Sequence, residues 1–231
     1  CLAPLSLPVC QSPVSPAFSD TDSQHFPLRL AQLCDSLSHS SSDDTPLCDL
    51  TFSCDSDHVT KTDNVVIGLL NARSAVKKAL DINDLITDKS LDVLVVTETW
   101  LREDGDDAVI RDMTPAGYSF LHRPRSSGQA GGGIALIHRK AITVKLCNVQ
   151  SFSSFENLQF VISHGRHTVR SVALYRPPPS AANQLNDSTF HEEFGSFVSS
   201  ATNKNLLILG DFNFHWDNPH NTHTRSLMQL F

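Results

Sequence analysis

Hydrophobic residues in this chain fall mainly into short runs that are bounded by glycine or polar residues. The run from Leu206 to Leu209, for example, is followed by Gly210 and Asp211. Apolar runs of roughly four to eight residues, and runs that alternate apolar with polar positions, predict β-strands. On this pattern, strands are predicted over 65–70, 92–97, 118–123, 133–138, 142–147, 156–163, 168–175 and 205–210.

Apolar residues also recur at helical spacing in two stretches, and begin to do so in a third. One helix is predicted over 75–88 and another over 188–201, where Thr189 and Glu192 match a capping box. A third is predicted to begin near Thr224. The stripes expected to face the core are Ala75, Ala79, Ile82, Leu85 and Ile86 in the first helix, and Phe190, Phe194, Phe197 and Val198 in the second.

Several predicted strands follow one another without an intervening helix. This order favours a mixed α/β fold, with mixed sheets packed face to face and flanked by helices, over a simple doubly wound sheet. The glycines at 131–133 precede a strand and not a helix, so we interpret them as a hairpin connection and not a phosphate-binding loop. The acidic stretch 103–107 is interpreted as a solvent-exposed loop.

Four of the predicted strands end in polar residues suited to metal or phosphate chemistry: Asn71, Glu98, Tyr175, and Asp211 with Asn213. The last two side chains would face the same way if the chain stays extended. An Asx-rich turn after the strand is an equal alternative for so short a motif. Because four strands end in this way, we expect one shared site at the edge of a sheet.

These residues carry a resemblance to a known family. Asn71, Glu98 in TETW, Tyr175 in LYRPP, and GDFN at Asp211 and Asn213 occur in an order that resembles the endonuclease/exonuclease/phosphatase superfamily. Within it, the chain is most similar to the apurinic-type endonuclease domain of non-LTR (LINE-type) retrotransposons, over about residues 64 to 231. The resemblance implies a DNase I-like, four-layer α/β sandwich of two mixed sheets flanked by helices.

The resemblance also implies a chemistry, the metal-dependent hydrolysis of phosphodiester bonds in DNA. Mg²⁺ or Mn²⁺ would be held by Glu98 with support from Asn71. Asp211 would deprotonate the attacking water, Asn213 would hold that water or a phosphate oxygen, and Tyr175 would donate to the phosphate. The implied partners are the DNA phosphate backbone and, in a full-length polyprotein, a reverse transcriptase region.

The chain departs from the family pattern after GDFN. A further catalytic Asp and a closing Asp-His pair near a Ser-Asp-His sequence are absent, and His215, His220 and His223 follow Asp211 too closely to replace them. We therefore expect a domain that is incomplete at its C-terminus and is inactive or weak as a nuclease. The alternatives are a non-catalytic remnant or binding module of the same fold, and a superfamily phosphatase acting on lipids or small molecules.

Residues 1–63 differ in composition from the rest of the chain. They are rich in Ser, Pro and Asp, and they carry the whole formal net charge of −7, which leaves 64–231 neutral. Such a segment is expected to be disordered, with a possible short helix over 28–37. A neutral catalytic segment is poorly suited to strong non-specific DNA binding. The candidate DNA contacts are Arg123, Arg125, Arg139, Lys140 and Arg176.

Cysteine usage and hydropathy bear on the compartment. Five of the six cysteines lie in residues 1–63 and fit no tight metal-binding spacing, and Cys147 stands alone in the remainder. This pattern favours a reducing compartment over a disulfide-bonded scaffold. The chain begins with Cys1, lacks a basic signal-peptide start, and has no apolar run long enough to span a membrane. We expect a fragment or processed product that is nuclear or cytoplasmic and not secreted.

Overall fold

The structure is a computed structural model, and it describes residues 29–32, 48–52, 65–125, 131–147, 150–165, 167–181, 183–201, 206–214 and 222–229. Ten strands and four helices lie within these ranges. In chain order they are β1 (Arg29–Gln32), β2 (Cys48–Phe52), β3 (Val65–Asn71), α1 (Ala79–Asp88), β4 (Val93–Thr97), α2 (Asp107–Met113), β5 (Tyr118–Arg123), β6 (Ile134–Arg139), β7 (Thr143–Leu146), β8 (Glu156–His164), β9 (His167–Tyr175), α3 (Asp187–Ser200), β10 (Leu206–Asp211) and α4 (Thr222–Met228).

The strands form two mixed five-stranded sheets. One has the order β1-β10-β9-β8-β7 and the other the order β2-β3-β4-β6-β5. Five of the eight neighbouring pairs are antiparallel; the three parallel pairs are β1 with β10 and β9 with β10 in the first sheet and β3 with β4 in the second. The carboxyl ends of two parallel strands lie at the same edge of their sheet. Each sheet therefore presents two strand ends side by side.

Three apolar layers hold the sheets and helices together. Side chains of both sheets, among them Leu69, Val95, Phe160 and Leu209, form the layer between the sheets. A second layer packs the other face of the β3–β4 sheet against α1 and α2. A third packs the β9–β10 sheet against α3 and α4. The result is a four-layer sandwich in the order helices, sheet, sheet, helices, which confirms the predicted fold class.

The core-facing stripes of the predicted helices agree with the structure. Helix α1 begins at Ala79 and not at residue 75, so Ala75 is buried but lies before the helix. Ala79, Ile82 and Ile86 are buried in α1, and Phe190, Phe194 and Phe197 are buried in α3. Leu85 and Val198 are only partly buried, at the margins of these layers. The helical spacing of apolar residues therefore located both faces correctly.

Three local predictions were wrong. The stretch 28–37, proposed as a helix, contains β1, which pairs in parallel with β10. The N-cap of α3 is Asn186, whose side chain accepts from the Thr189 backbone N–H at 2.8 Å, so Thr189 lies inside the helix and not at its cap. Helix α2 begins within the stretch expected to be an acidic loop. Its seven residues are too few to show a clear helical period.

Two strands fall in the segment expected to be disordered, since β1 and β2 lie before residue 64 and extend the two sheets. Local composition does not reveal this pairing, because the partner strands β10 and β3 supply the hydrogen bonds. The proposed domain boundary at 63/64 itself stays a prediction. Among the described residues, no helix has both the length and the hydropathy needed to cross a membrane.

Gly210 permits the close pairing of β9 with β10 next to the strand ends. A Cβ atom at this position would lie 2.1 Å from the backbone oxygen of Leu174. That separation is far below van der Waals contact, so a side chain here would push the strands apart. The glycine before Asp211 is therefore part of what brings the ends of β9 and β10 together.

Candidate active site

The polar side chains predicted at four strand ends meet at one place between the two sheets. Asn71 is the last residue of β3 and Glu98 follows β4 directly, while Tyr175 and Asp211 end β9 and β10 and are register partners. The parallel pairing within each sheet sets these ends side by side, and the packing of the sheets sets the two pairs opposite each other. The expected convergence of these side chains is thus present in the fold, and their roles stay a prediction.

Asn71 links the two carboxylates of the cluster. Its Nδ2 atom donates to Glu98 Oε1 at 2.9 Å and to Asp211 Oδ2 at 2.7 Å. Its Oδ1 atom accepts from the backbone N–H of Arg73 at 3.0 Å. The amide nitrogen, and not the oxygen, therefore faces the carboxylates, and one neutral side chain joins groups that belong to different sheets.

Tyr175 adds a protonated hydroxyl to the cluster. Its side chain is only 5% exposed, and its hydroxyl is hydrogen-bonded to Glu98. Burial raises the pKa of the phenol strongly; the negative charge of Glu98 and the hydrogen bond to it raise it further, and the Arg125 guanidinium opposes them. The guanidinium carbon lies 5.8 Å from the centre of the Tyr175 ring. The hydroxyl consequently keeps its proton at neutral pH.

The chain turns immediately after Asp211 and does not stay extended. The backbone N–H of Asn213 donates to Asp211 Oδ1 at 3.0 Å, and Asn213 itself has a positive φ of 49°. GDFN therefore forms the Asx-type turn that was the alternative to an extended chain, and this turn places Asp211 in the cluster. The Asn213 side chain donates instead to the backbone oxygen of Arg176, at 2.7 Å.

Arg176 is a residue whose role the sequence did not reveal. It was a candidate DNA contact, but its side chain is only 2% exposed and packs inside the protein. Its Nη1 atom donates to the backbone oxygens of Phe212 and Asn213 at 3.1 and 3.3 Å, and its Nη2 atom pairs with Asp187. The guanidinium also lies over the ring of Phe214, at 4.1 Å from its centre. It fixes the turn that carries Asp211 and Asn213, and no local signal distinguishes such an arginine from a surface one.

The side chains of three other candidate DNA contacts have partners inside the protein. Lys140 is exposed, and its backbone N–H donates to the Gly117 oxygen at 2.9 Å. Arg125 pairs with Glu156 at 2.5 Å, and Arg139 pairs with Asp92 at 2.8 Å. Arg123 donates to the backbone oxygen of Asn157 at 3.0 Å. These three arginines hold strands and loops in place, which makes them weak candidates for direct phosphate contacts.

Strained backbone is concentrated around the cluster. Positive φ angles occur at Arg73, Ser74 and Glu98 on the β3–β4 side and at Asn213 on the β10 side. Non-glycine residues adopt this conformation at a cost of about 1–2 kcal/mol each. Strain of this kind persists where the surrounding structure enforces it, and it is enriched at functional sites. Here the Ser74 backbone N–H donates to the backbone oxygen of Glu98 at 2.8 Å, which fixes the backbone of both residues.

The donor set fits a hard divalent cation. Glu98 and Asp211 bring two carboxylates to one amide, and Mg²⁺ commonly takes one or two carboxylates and keeps several waters. Within the described ranges, no group of three or more His, Cys, Asp or Glu side chains could form a fuller metal cage. His215 and His220 lie outside those ranges, as does the side chain of His223.

The sequence matches the model of the endonuclease/exonuclease/phosphatase family over residues 50–230. That match begins before the boundary predicted at residue 64. A curated relative is the RNA-directed DNA polymerase from mobile element jockey of Drosophila melanogaster, 25% identical over 166 residues. The match covers 71% of this chain and 17% of the jockey protein, so the chain spans only a small part of that relative. The predicted similarity to LINE-type retrotransposon proteins is thereby confirmed.

Solved structures share the fold at low sequence identity. The endonuclease domain of TRAS1, a telomere-specific non-LTR retrotransposon, is 11% identical with a TM-score of 0.50, over 71% of this chain and 68% of that one. A mannosyl-6-phosphatase of Bacteroides thetaiotaomicron is 14% identical with a TM-score of 0.51, over 71% and 70%. An AP endonuclease of Leishmania major is 14% identical with a TM-score of 0.50, over 71% and 65%.

Proposed function

Because this chain belongs to the endonuclease/exonuclease/phosphatase family, we propose that it hydrolyses phosphodiester bonds in DNA at the cluster of Asn71, Glu98, Tyr175 and Asp211, with Mg²⁺ or Mn²⁺. The observation that carries the proposal is the Asn71 amide, which donates to Glu98 and Asp211 from the two different sheets. Such an arrangement gathers negative charge at one point in the fold. Its natural complement is a cation that also binds an anionic phosphate.

Each residue of the cluster has a chemical role in this proposal. Asp211 is held by Asn71 at one oxygen and by the Asn213 N–H at the other, which orients it to take a proton from the attacking water. Tyr175 keeps its proton and donates a hydrogen bond to a phosphate oxygen, where negative charge grows in the transition state. Asn71 positions both carboxylates through its nitrogen, and Asn213 steadies the turn that follows β10.

Glu98 is the proposed principal ligand of the metal, with Asp211 and Asn71 beside it. When bound, the metal neutralises phosphate charge and makes water acidic enough to attack near neutral pH. With the amide oriented as it is, Asn71 supports the site through its nitrogen; direct ligation by its oxygen would require the amide to turn over and release the Arg73 N–H. Loss of Glu98 should therefore abolish metal-dependent cleavage.

DNA is the proposed substrate because the retrotransposon proteins lie among the relatives. The jockey protein is a polymerase from a mobile element, and the TRAS1 neighbour is an endonuclease domain. The TETW and YRPP contexts of Glu98 and Tyr175 carried the same resemblance at the level of sequence. By the same argument, we propose a reverse transcriptase region as a partner in a longer polyprotein.

A plasmid-nicking assay tests the proposed function. Supercoiled plasmid is incubated with protein in molar excess, so that slow cleavage is detected, with Mg²⁺, with Mn²⁺ or with EDTA. We expect metal-dependent nicking that Glu98→Gln and Asp211→Asn reduce by about 10²-fold or more, the usual effect of losing one essential group. Glu103→Gln, which changes an exposed carboxylate on the loop after β4, is the matched control and should nick normally.

Three results would contradict the proposal: nicking in EDTA, unchanged nicking by Glu98→Gln, or no metal-dependent cleavage by the parent chain. Parallel assays with 4-nitrophenyl phosphate separate phosphodiesterase from phosphomonoesterase activity. Rapid release of nitrophenol without plasmid nicking would favour a superfamily phosphatase. Absence of both reactions would favour a non-catalytic member of the fold.

A further inference from the structure

Trp100 is a large aromatic side chain exposed next to the candidate active site. It is 46% exposed, although it lies two residues after Glu98. The residues on either side of it, Thr99 and Leu101, are buried at 0% and 4% exposure. The chain therefore turns one bulky apolar group outward at a point where its neighbours turn inward.

The backbone holds Trp100 in a fixed position. The N–H of Trp100 donates to the Gly132 oxygen at 2.9 Å, and the N–H of Thr99 donates to the Gly133 oxygen at 3.2 Å. Trp100 also has a positive φ of 58°, which is unfavourable for a residue with a side chain. These hydrogen bonds hold a partly exposed aromatic residue in a strained conformation, and strain of this kind is enriched at functional sites.

The indole of Trp100 is connected to the candidate active site through Arg125. A Cβ atom at Gly131 would lie 3.6 Å from the Trp100 indole nitrogen and 3.8 Å from Arg125 Nη1, so the indole edge and the guanidinium approach the same point. Arg125 in turn lies over the ring of Tyr175, whose hydroxyl bonds to Glu98. Trp100 is thus connected to the proposed phosphate donor through Arg125, which itself pairs with Glu156.

We propose that Trp100 is a binding platform on which a nucleobase of the DNA substrate stacks, next to the phosphate that is cleaved. The inference rests on the proposed function and makes it more specific, because it assigns a residue that contacts a base and not the phosphate. Stacking of a base on an aromatic side chain adds affinity and tolerates any base sequence. Trp100 therefore selects for nucleic acid and adds affinity without setting a sequence preference.

A binding experiment tests the platform directly. The chain contains two tryptophans, so Trp216→Phe leaves Trp100 as the only source of tryptophan fluorescence. The probes are a DNA single strand and a strand of equal length built from abasic sugar-phosphates, both titrated in EDTA. Both strands are unlabelled for tryptophan fluorescence and carry fluorescein for polarisation. We expect the DNA strand to quench Trp100 fluorescence and the abasic strand, which has the same charge but no bases, to leave it unchanged.

Variants at Trp100 give the second part of the test. By fluorescence polarisation, Trp100→Ala should weaken binding of the DNA strand by about tenfold or more and leave binding of the abasic strand unchanged. Trp100→Phe, which keeps an aromatic face, should recover most of the affinity. Leu80→Ala removes a comparable apolar group that is 65% exposed on α1, away from the cluster, and should change neither affinity.

Catalysis separates this inference from the proposed function. With Mg²⁺ present, Trp100→Ala should lower cleavage of the DNA strand more than cleavage of the abasic strand, while Glu98→Gln should abolish cleavage of both. Two results would overturn the platform: equal affinity of Trp100→Ala and the parent chain for the DNA strand, or an equal loss of affinity for the DNA and abasic strands. The first of these results would favour Trp100 as a contact for a protein. Activity that survives Glu98→Gln would instead overturn the proposed function.

Discussion

At the residue scale, the cluster is organised by neutral hydrogen-bond donors set among carboxylates. Asn71 donates to both Glu98 and Asp211, the Tyr175 hydroxyl is bonded to Glu98, and the Asn213 N–H donates to Asp211. The sequence supplied these residues because each follows a strand whose apolar pattern is clear. It could not supply the direction of the Asn71 amide, which depends on Arg73 and on a residue 140 positions away.

Tyr175→Phe removes the hydroxyl and keeps the ring that packs between the sheets. We expect metal-dependent nicking to fall by about 10²-fold, because the variant loses a donor to the phosphate in the transition state. Tyr118 is the only other tyrosine, and its hydroxyl donates to the Leu91 backbone oxygen at 2.6 Å, away from the cluster. Tyr118→Phe is therefore the matched control, and a similar loss of activity in both variants would remove Tyr175 from the chemistry.

The same pair of variants has a pH signature in stability. Burial raises the pKa of both phenols above the ordinary value of 10.0, so each contributes stability that is present below pH 10 and is lost as the pH rises through the higher folded pKa. Urea unfolding of the parent chain between pH 9 and about 11.5 should therefore show falling stability. Each Phe variant should show a shallower fall, and an unchanged slope in Tyr175→Phe would contradict the burial of its hydroxyl.

At the element scale, the site depends on which strands are parallel. The pairs β3–β4 and β9–β10 place Asn71 beside Thr97 and Tyr175 beside Asp211. Arg176 connects elements that are not paired as strands. From the end of β9, its side chain bonds to Asp187, the first residue of α3, and to the turn after β10. Hydrophobic periodicity predicted eight of the ten strands. Partner choice and buried ion pairs depend on contacts that no single segment encodes.

Glu193 on α3 anchors the loop that leads into β8. Its carboxylate accepts from the backbone N–H and the hydroxyl of both Ser153 and Ser154, at 2.5 to 3.1 Å. Burial alone raises the pKa of Glu193, but these hydrogen bonds outweigh it and lower the pKa below the ordinary 4.5. The carboxylate therefore stabilises the fold above pH 4.5, and this contribution is lost as the pH falls through the lower folded pKa.

We predict that Glu193→Gln lowers the free energy of unfolding at pH 7 by about 1–2 kcal/mol, since hydrogen bonds to a charged group are lost. The difference from the parent chain should shrink as the pH falls below about 4.5, where the parent carboxylate also becomes protonated. Glu192→Gln, one position earlier and exposed, should have little effect. A constant difference across the acid range would show that the charge of Glu193 is not what stabilises the loop.

At the scale of the whole molecule, two strands from the acidic first quarter of the chain extend the two sheets. The strand β1 pairs with β10, and β2 pairs with β3. Without them, β10 and β3 would each become an edge with unpaired backbone groups. Both of these strands end in residues of the cluster, Asp211 and Asn71. The segment with the composition of a disordered tail thereby protects the strands that carry the site.

A shortened chain of residues 64–231 tests this role. We expect it to unfold at lower urea concentration than the full chain and to aggregate more readily, because β3 and β10 would be exposed as edges. Faster amide hydrogen exchange in β10 would locate the change. The full chain carrying Leu30→Pro, which interrupts the pairing of β1 with β10, should show faster hydrogen exchange in β10 alone. Equal stability of the full and shortened chains would support the domain boundary at 64.

The sequence alone determined most of the elements, the four strand ends and the family resemblance, because apolar periodicity and strand-end chemistry are local properties that a linear chain displays. The tertiary structure decided which strand ends are neighbours, that Asn71 joins two sheets, that Arg176 is buried, and that β1 and β2 complete the sheets. Each of these depends on hydrogen bonds or packing between residues far apart along the chain, such as Asn71 and Asp211. The energy of such contacts exists only once the two sheets face each other.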